Sequence, residues 1–341
     1  MKKVKLISFL ILIATSLLFV QCTTDPILGP AGENGVDGAD GADGLDGVSG
    51  TTECASCHNI ATSEAVHKSY LYSGHAAGGA VAYAGPRASC AQCHSNEGYV
   101  DYVTYGATNE EGYANPTPIS CNTCHDKHKT FDFENEGYDY ALRRIAPVKL
   151  ITDENYTINY NGTSNNCALC HQPRRSPPIA DADGNFAVTS SHWGPHHGPQ
   201  STFLEGIQGA EIAGSLEYLP PQSATHRKGS SCTSCHMGES SGETDGEHTW
   251  IPTPTSCTAC HPNGAPDGVA GLEQDLETLH QLLEDAGILN GGHPHEGTYP
   301  ISVAEGAWNY LLITEDASNG THNPAYARAL VKNSIEALNA N

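Results

Sequence analysis

Six times along its 341 residues the chain writes Cys, two variable residues, Cys and His. The motifs are Cys54-Ala-Ser-Cys57-His58, Cys90-Ala-Gln-Cys93-His94, Cys121-Asn-Thr-Cys124-His125, Cys167-Ala-Leu-Cys170-His171, Cys232-Thr-Ser-Cys235-His236 and Cys257-Thr-Ala-Cys260-His261. Two residues between the cysteines let both sulfurs reach the two vinyl groups of one haem as thioethers. The histidine that follows then lies beneath the ring as an axial iron ligand. Zinc ribbons also pair Cys-x-x-Cys units, and exported redox dithiols or disulfides use them singly. Neither chemistry requires His directly after the second Cys, and six coincidences decide for haem. The expected cofactors are therefore six c-type haems, with proximal iron ligands His58, His94, His125, His171, His236 and His261.

Composition fits a chain that borrows its interior. Hydrophobic residues are 38% of the total, while there are 36 Gly and 20 Pro. So few large aliphatic side chains leave little burial to offset the conformational entropy of folding, and flat apolar cofactors would fill the gap. The expected fold is mainly α with extensive irregular backbone and the haems forming the core. Only the C-terminal eighty residues look conventional. A helix is expected over 269–286, with Leu272, Leu276, Leu279 and Leu283 on one face and Gly287 as its stop. A second is expected over 302–313, opened by a Ser302/Glu305 capping box. A third over 324–339 has Asn323 as cap, Pro324 at its first position, and Ala327, Val331, Ile335 and Leu338 inward. No convincing run of strands is visible.

The second axial ligand decides whether a haem can bind substrate or only pass electrons. Methionine is nearly absent: besides Met1 there is only Met237, beside a motif histidine. Of 18 histidines, the six in the motifs leave twelve: His67, His75, His128, His192, His196, His197, His226, His248, His280, His293, His295 and His322. That suffices for every haem to be ligated by two histidines. The distal candidates are His75, His128, His196, His226, His248 and His322. His128 stands three residues beyond its motif histidine and is expected to serve a neighbouring haem. His75 lies in a small-residue segment, His226 and His248 flank the fifth motif, His196 sits in a Gly/Pro turn beside His197, and His322 precedes a helix cap. His67, His192, His280, His293 and His295 are set aside, with His280 at the edge of its helix's leucine stripe.

The N-terminus reads as an export signal over residues 1–21. Lys2, Lys3 and Lys5 precede an apolar run too short to span a bilayer comfortably. Cys22 follows, the one cysteine outside the motifs. It reads as the lipidated first residue of an exported lipoprotein, although Gln21 replaces the small residue usual before such a cysteine. From Gly29 to Gly50 glycine recurs at every third position with acidic residues between. Gly-X-Y is the collagen period. The run is short and carries a single proline, so residues 22–50 are expected to form a lipid-anchored acidic spacer. The haem domain then occupies 51–341. A formal net charge of -23 disfavours nucleic acid as a partner. Redox proteins or an extracellular acceptor suit it better, with the membrane engaged through Cys22 and an outer-membrane or cell-surface location.

From Thr51 onward the chain resembles the multihaem c-type cytochromes of respiring bacteria. Beyond the motifs, His196-His197-Gly-Pro-Gln200, Cys232 to Met237, Glu247-His248-Thr249, Cys257 to His261 and Thr321-His322-Asn323-Pro324-Ala-Tyr326 look like blocks that recur in that group. The C-terminal helices look similar to those of the pentahaem nitrite reductases and octahaem hydroxylamine oxidoreductases. The resemblance implies a multihaem cytochrome c architecture of closely stacked haem pairs, with catalysis only at an open iron. All six motifs here end in His, whereas those nitrite reductases mark the active haem with Lys, so a carrier is favoured over a catalyst. Three readings stay open: electron transfer through six bis-His haems, an oxidoreductase acting on a small nitrogen or sulfur compound at one open haem, and a subunit of a cytochrome filament.

Overall fold

In the computed structural model the described residues are 52–266 and 268–340. The export signal, Cys22 and the Gly-X-Y run lie outside them. Two apolar cores organise the rest, and they differ in kind.

The larger core belongs to the C-terminal helices. Leu272–Asp285, Ile301–Asp316 and Pro324–Ala340 pack together over Leu279, Leu283, Trp308, Leu312, Ile313, Leu330 and Val331, all essentially sealed from solvent. The expected leucine stripe is used: Leu272, Leu279 and Leu283 are buried and Leu276 packs against them. That helix starts three residues later than expected, because Gly271 takes a left-handed φ of 77° just before it. It ends before Gly287, also left-handed, as expected. The third helix begins at Pro324, with the Asn323 side chain accepting from the Tyr326 N–H at 3.2 Å. The second helix departs from expectation. It starts at Ile301 after Pro300, without a side-chain cap bond, so Ser302 and Glu305 lie inside it and form no capping box. Tyr299 and Pro300 instead pair with a strand and carry the chain straight into the helix.

Strands do occur, against expectation, in three antiparallel pairs. Val148–Lys149 pairs with Thr157–Ile158, Asn185–Val188 with Gly297–Pro300, and Leu289–Asn290 with His293–Pro294. The middle pair ties the centre of the chain to the entry of the second C-terminal helix. That helix also grips residues 208–210 through polar contacts. Trp308 Nε1–H donates to the Gln208 carbonyl at 2.8 Å, and Asn309 exchanges two 2.8 Å bonds with Ala210.

The smaller core collects Tyr99, Val148, Leu150, Ile158, Tyr160, Ala168, Leu169 and Leu204. Around it the backbone is irregular and the helices short. Ala88–His94 and Asn96–Tyr105 meet so closely that a Cβ on Gly98 would stand 2.5 Å from the Ala91 carbonyl carbon. Glu205 is buried beside this core, paired with Arg227 and accepting from the Tyr156 hydroxyl at 3.0 Å. Arg227 also donates to the Asn159 carbonyl and lies over the Tyr160 ring, 4.6 Å from its centre. Removing one partner would strand a buried charge. Glu205→Ala is expected to cost about 3–5 kcal/mol, read as a drop in the denaturant midpoint, while Glu205→Gln, which keeps a hydrogen bond, costs less.

Candidate functional site

Each motif starts on a short helical turn, Thr52–Cys57, Ala88–His94, Cys121–Cys124, Asn165–Ala168, Cys232–His236 or Pro254–Thr258, with Cys170 and Cys260 just past the ends of theirs. A helical turn puts residues i, i+3 and i+4 on one face, so both thiols and the following imidazole share a side. The bond from the His N–H to the first Cys carbonyl closes that turn at His58, His125, His171 and His261, at 2.8–3.0 Å. Serines start two of the turns. Ser120 and Ser231 make reciprocal capping boxes with Thr123 and Ser234. None of the twelve described cysteines is in a disulfide.

Each motif histidine faces one non-motif histidine. The ring centres are 5.9 Å apart for His58 and His128, 5.9 Å for His94 and His196, and 6.3 Å for His125 and His248. They are 6.2 Å apart for His171 and His75, 6.1 Å for His236 and His322, and 6.3 Å for His261 and His226. Two imidazoles bound on opposite sides of one metal, each nitrogen about 2 Å from it, have ring centres roughly 6 Å apart. The histidines meet in these opposed twos. Among the described residues no group of three or more His, Cys, Asp or Glu side chains converges as a bare-metal cage would require.

The ring nitrogens are prepared for the same chemistry. Six of the twelve paired histidines donate Nδ1–H to an oxygen, which leaves the Nε2 lone pair to a metal. His125 donates to the Tyr140 carbonyl at 2.8 Å, His236 to the Trp250 carbonyl at 2.8 Å, and His226 to the Thr321 carbonyl at 2.5 Å. His171 donates to Gln200 Oε1 at 3.0 Å, His128 to Asp139 at 2.6 Å and His322 to Asp316 at 2.6 Å. His196 Nε2 is buried with no hydrogen-bond partner. A buried polar nitrogen of this kind is costly unless something binds it. These features fit an iron ligated by two imidazoles.

Burial pushes six of these histidines toward the neutral form. His75 falls to about 4, through burial and the nearby His171, and His196 to about 4, through burial with His197 and Arg174 beside it. Burial also lowers His94, His171, His236 and His248. His322 is the exception. Burial works to lower it, but the Asp316 carboxylate raises it above the usual range.

Several residues that hold these rings have left-handed backbone. They include His196 (φ 75°), Tyr140 (φ 50°), Glu247 (φ 48°) and Trp250 (φ 56°). A non-glycine residue there costs on the order of 1–3 kcal/mol, and such strain gathers at functional sites. Trp250 serves three sites. Its ring lies 4.6 Å from the His75 ring and 5.5 Å from the His248 ring, while its carbonyl holds His236. Sequence reasoning passed over Trp250, Asp316, Asp139 and Gln200. Their signal was proximity, since Trp250 follows His248 by two residues and Asp316 precedes His322 by six.

The six sites form a connected set. His125 and His128 join the first and third through three residues of chain. Trp250 lies between the third and fourth. Cys93 is within hydrogen-bond reach of Cys170, joining the second to the fourth, and Cys167 of Cys232, joining the fourth to the fifth. Thr321 holds the sixth site's His226 while its neighbour His322 faces His236 in the fifth. Among the described residues, His67, His192, His280, His293 and His295 make no ring contact with a motif histidine. His280 stacks on Tyr310 with ring centres 5.2 Å apart, in the C-terminal core. His197 pairs with Glu315 and touches the His196 ring.

No protein-family model matches the chain, and no curated protein matches it. Among solved structures the fold is similar to that of the outer cell wall cytochrome OcwA. The TM-score is 0.51 and the identity 21%, over 80% of this chain and 50% of that one. The chain thus spans about half the length of that cytochrome, with which it shares a mainly helical fold.

Proposed function

We propose that this chain is an electron carrier that binds six c-type haems, each held by two cysteine thioethers and ligated by two histidines. The observation that carries this reading is the set of six opposed imidazole pairs, each joining one motif histidine to one other. The thioether residues are Cys54 and Cys57, Cys90 and Cys93, Cys121 and Cys124, Cys167 and Cys170, Cys232 and Cys235, and Cys257 and Cys260. The axial pairs are His58/His128, His94/His196, His125/His248, His171/His75, His236/His322 and His261/His226. When bound, each haem supplies one iron that alternates between ferric and ferrous. The protein's part is to occupy both axial positions, so that no substrate reaches iron, and to hold neighbouring sites close. On the contacts above, the first, third, fourth, fifth and sixth sites form a line, with the second branching from the fourth.

Export, lipidation of Cys22 and the acidic spacer over 22–50 complete the proposal, and place the carrier at the cell surface with redox proteins or an extracellular acceptor as partners. The fold shared with an outer cell wall cytochrome supports that location. Among the described residues no helix is long and apolar enough to cross a membrane.

The test is electron paramagnetic resonance of the oxidised holoprotein, with haem counted against protein by mass. Six low-spin ferric haems are expected, with no response to added nitrite or hydroxylamine. A high-spin haem that binds either compound would overturn the closed-iron reading in favour of catalysis. His248→Ala is expected to convert one sixth of the haem to high spin and leave the other five unchanged.

A further inference from the structure

Asp316 closes the Ile301–Asp316 helix, and its side chain is fully buried. A buried carboxylate is costly unless it is paired. Its Oδ1 accepts from His322 Nδ1 at 2.6 Å, and its Oδ2 accepts from the Ser318 hydroxyl. Among the described residues its one ion-pair partner is that imidazole. Asp139, which plays the matching part beside His128, is better supported. It is partly exposed and also accepts from the Lys129 N–H at 2.6 Å and the Ala141 N–H at 2.9 Å. Asp316 therefore depends on His322 for compensation in a way that Asp139 does not depend on His128.

We infer that Asp316 is a positioning residue that makes the His236/His322 haem the last of the six to accept an electron. The inference rests on the proposed ligation of that haem. While the iron is ferric, its positive charge, felt through His322, balances the buried carboxylate. One electron from an external reductant such as dithionite converts ferric to ferrous iron. No bond forms or breaks, no proton moves, and Asp316 stays anionic with its compensation reduced. Low-dielectric surroundings make that loss expensive. A carboxylate hydrogen bond also makes the ligating histidine more basic, which again favours the ferric state. On the opposite face His236 donates to the Trp250 carbonyl, which acts in the same direction.

The test is a dithionite titration of the holoprotein, followed at the haem absorption band with low-spin resonance recorded in parallel. In the parent protein the last sixth of the signal to be reduced should be the component that moves in variants at this site. Asp316→Asn is expected to shift that component to higher potential, keep six low-spin haems, and leave the other five in place. Ser318→Ala, which removes the hydroxyl that shares the carboxylate's charge, is expected to shift the same component lower. Opposite shifts of one component support the inference, because simple loosening of the site would move both variants alike. Six low-spin haems with an unmoved last component in Asp316→Asn would overturn it. If Asp316→Asn yields no holoprotein, Ser318→Ala decides alone: a downward shift supports the role and no shift overturns it. A high-spin haem at this site in the parent protein would instead overturn the proposed ligation, and the inference with it.

Discussion

Made without haem attachment, the chain is expected to keep slow amide exchange in its three C-terminal helices and lose it over residues 52–180. The two cores explain the contrast. The C-terminal helices bury Leu279, Leu283, Trp308, Leu312, Ile313, Leu330 and Val331 against one another, and strand Asn185–Val188 and Phe203 add to the same core. The smaller core has eight buried side chains, seven of them between Tyr99 and Leu169. Each is worth at most about 1.5–3 kcal/mol on burial, against roughly 1–2 kcal/mol for every backbone residue that must be ordered. Residues 52–180 are otherwise held in short helices, turns and loops, so that core falls short of their ordering cost. On the proposed reading the haems and their paired histidines make up the shortfall. Hydrogen-exchange mass spectrometry on chain expressed with and without haem attachment checks this, and protection over 52–180 in haem-free chain would count against it.

Trp308→Ala is expected to be the most damaging single substitution in the C-terminal core, at about 3–5 kcal/mol. The ring is completely buried, packs 5.8 Å from the Trp193 ring, and its N–H satisfies the Gln208 carbonyl. Its loss leaves a cavity and an unpaired acceptor together. Trp308→Phe separates the two effects, because it keeps most of the ring and loses the hydrogen bond, at about 1–3 kcal/mol. Guanidinium denaturation followed by far-ultraviolet circular dichroism gives both numbers.

The C-terminal helices were legible because their signals are local. A leucine every three or four residues, a glycine stop and an Asn-Pro start need no information from elsewhere in the chain. The Ser302/Glu305 box looked equally local, but it lost to a strand pairing between Pro300 and Asn185, more than a hundred residues away. The other strand pairs are two residues long, below what alternation can reveal. The motif histidines stand out by spacing alone, which is the spacing that the proposed thioether attachment would require. The histidines opposite them were narrowed by neighbouring glycine, proline and helix caps. Which imidazole meets which motif could not be read, because those meetings are long-range: His75 faces His171, and His125 faces His248. Asp316 and Trp250 escaped for a related reason. Their importance lies in what they touch, and neither carries a motif of its own.

The three-residue step from His125 to His128 has a consequence for how such a carrier would fail. Consecutive Cα atoms are 3.8 Å apart, so the Cα atoms of these two residues can never be more than about 11 Å apart, however much the fold breathes. The link between the first and third sites is therefore fixed by covalent bonds. The link from the third to the fourth depends on the Trp250 ring staying packed between His75 and His248, and so on the weak forces of the folded state. As temperature or denaturant loosens the molecule, the proposed circuit should break first at Trp250, while the pair tied by the chain remains in step.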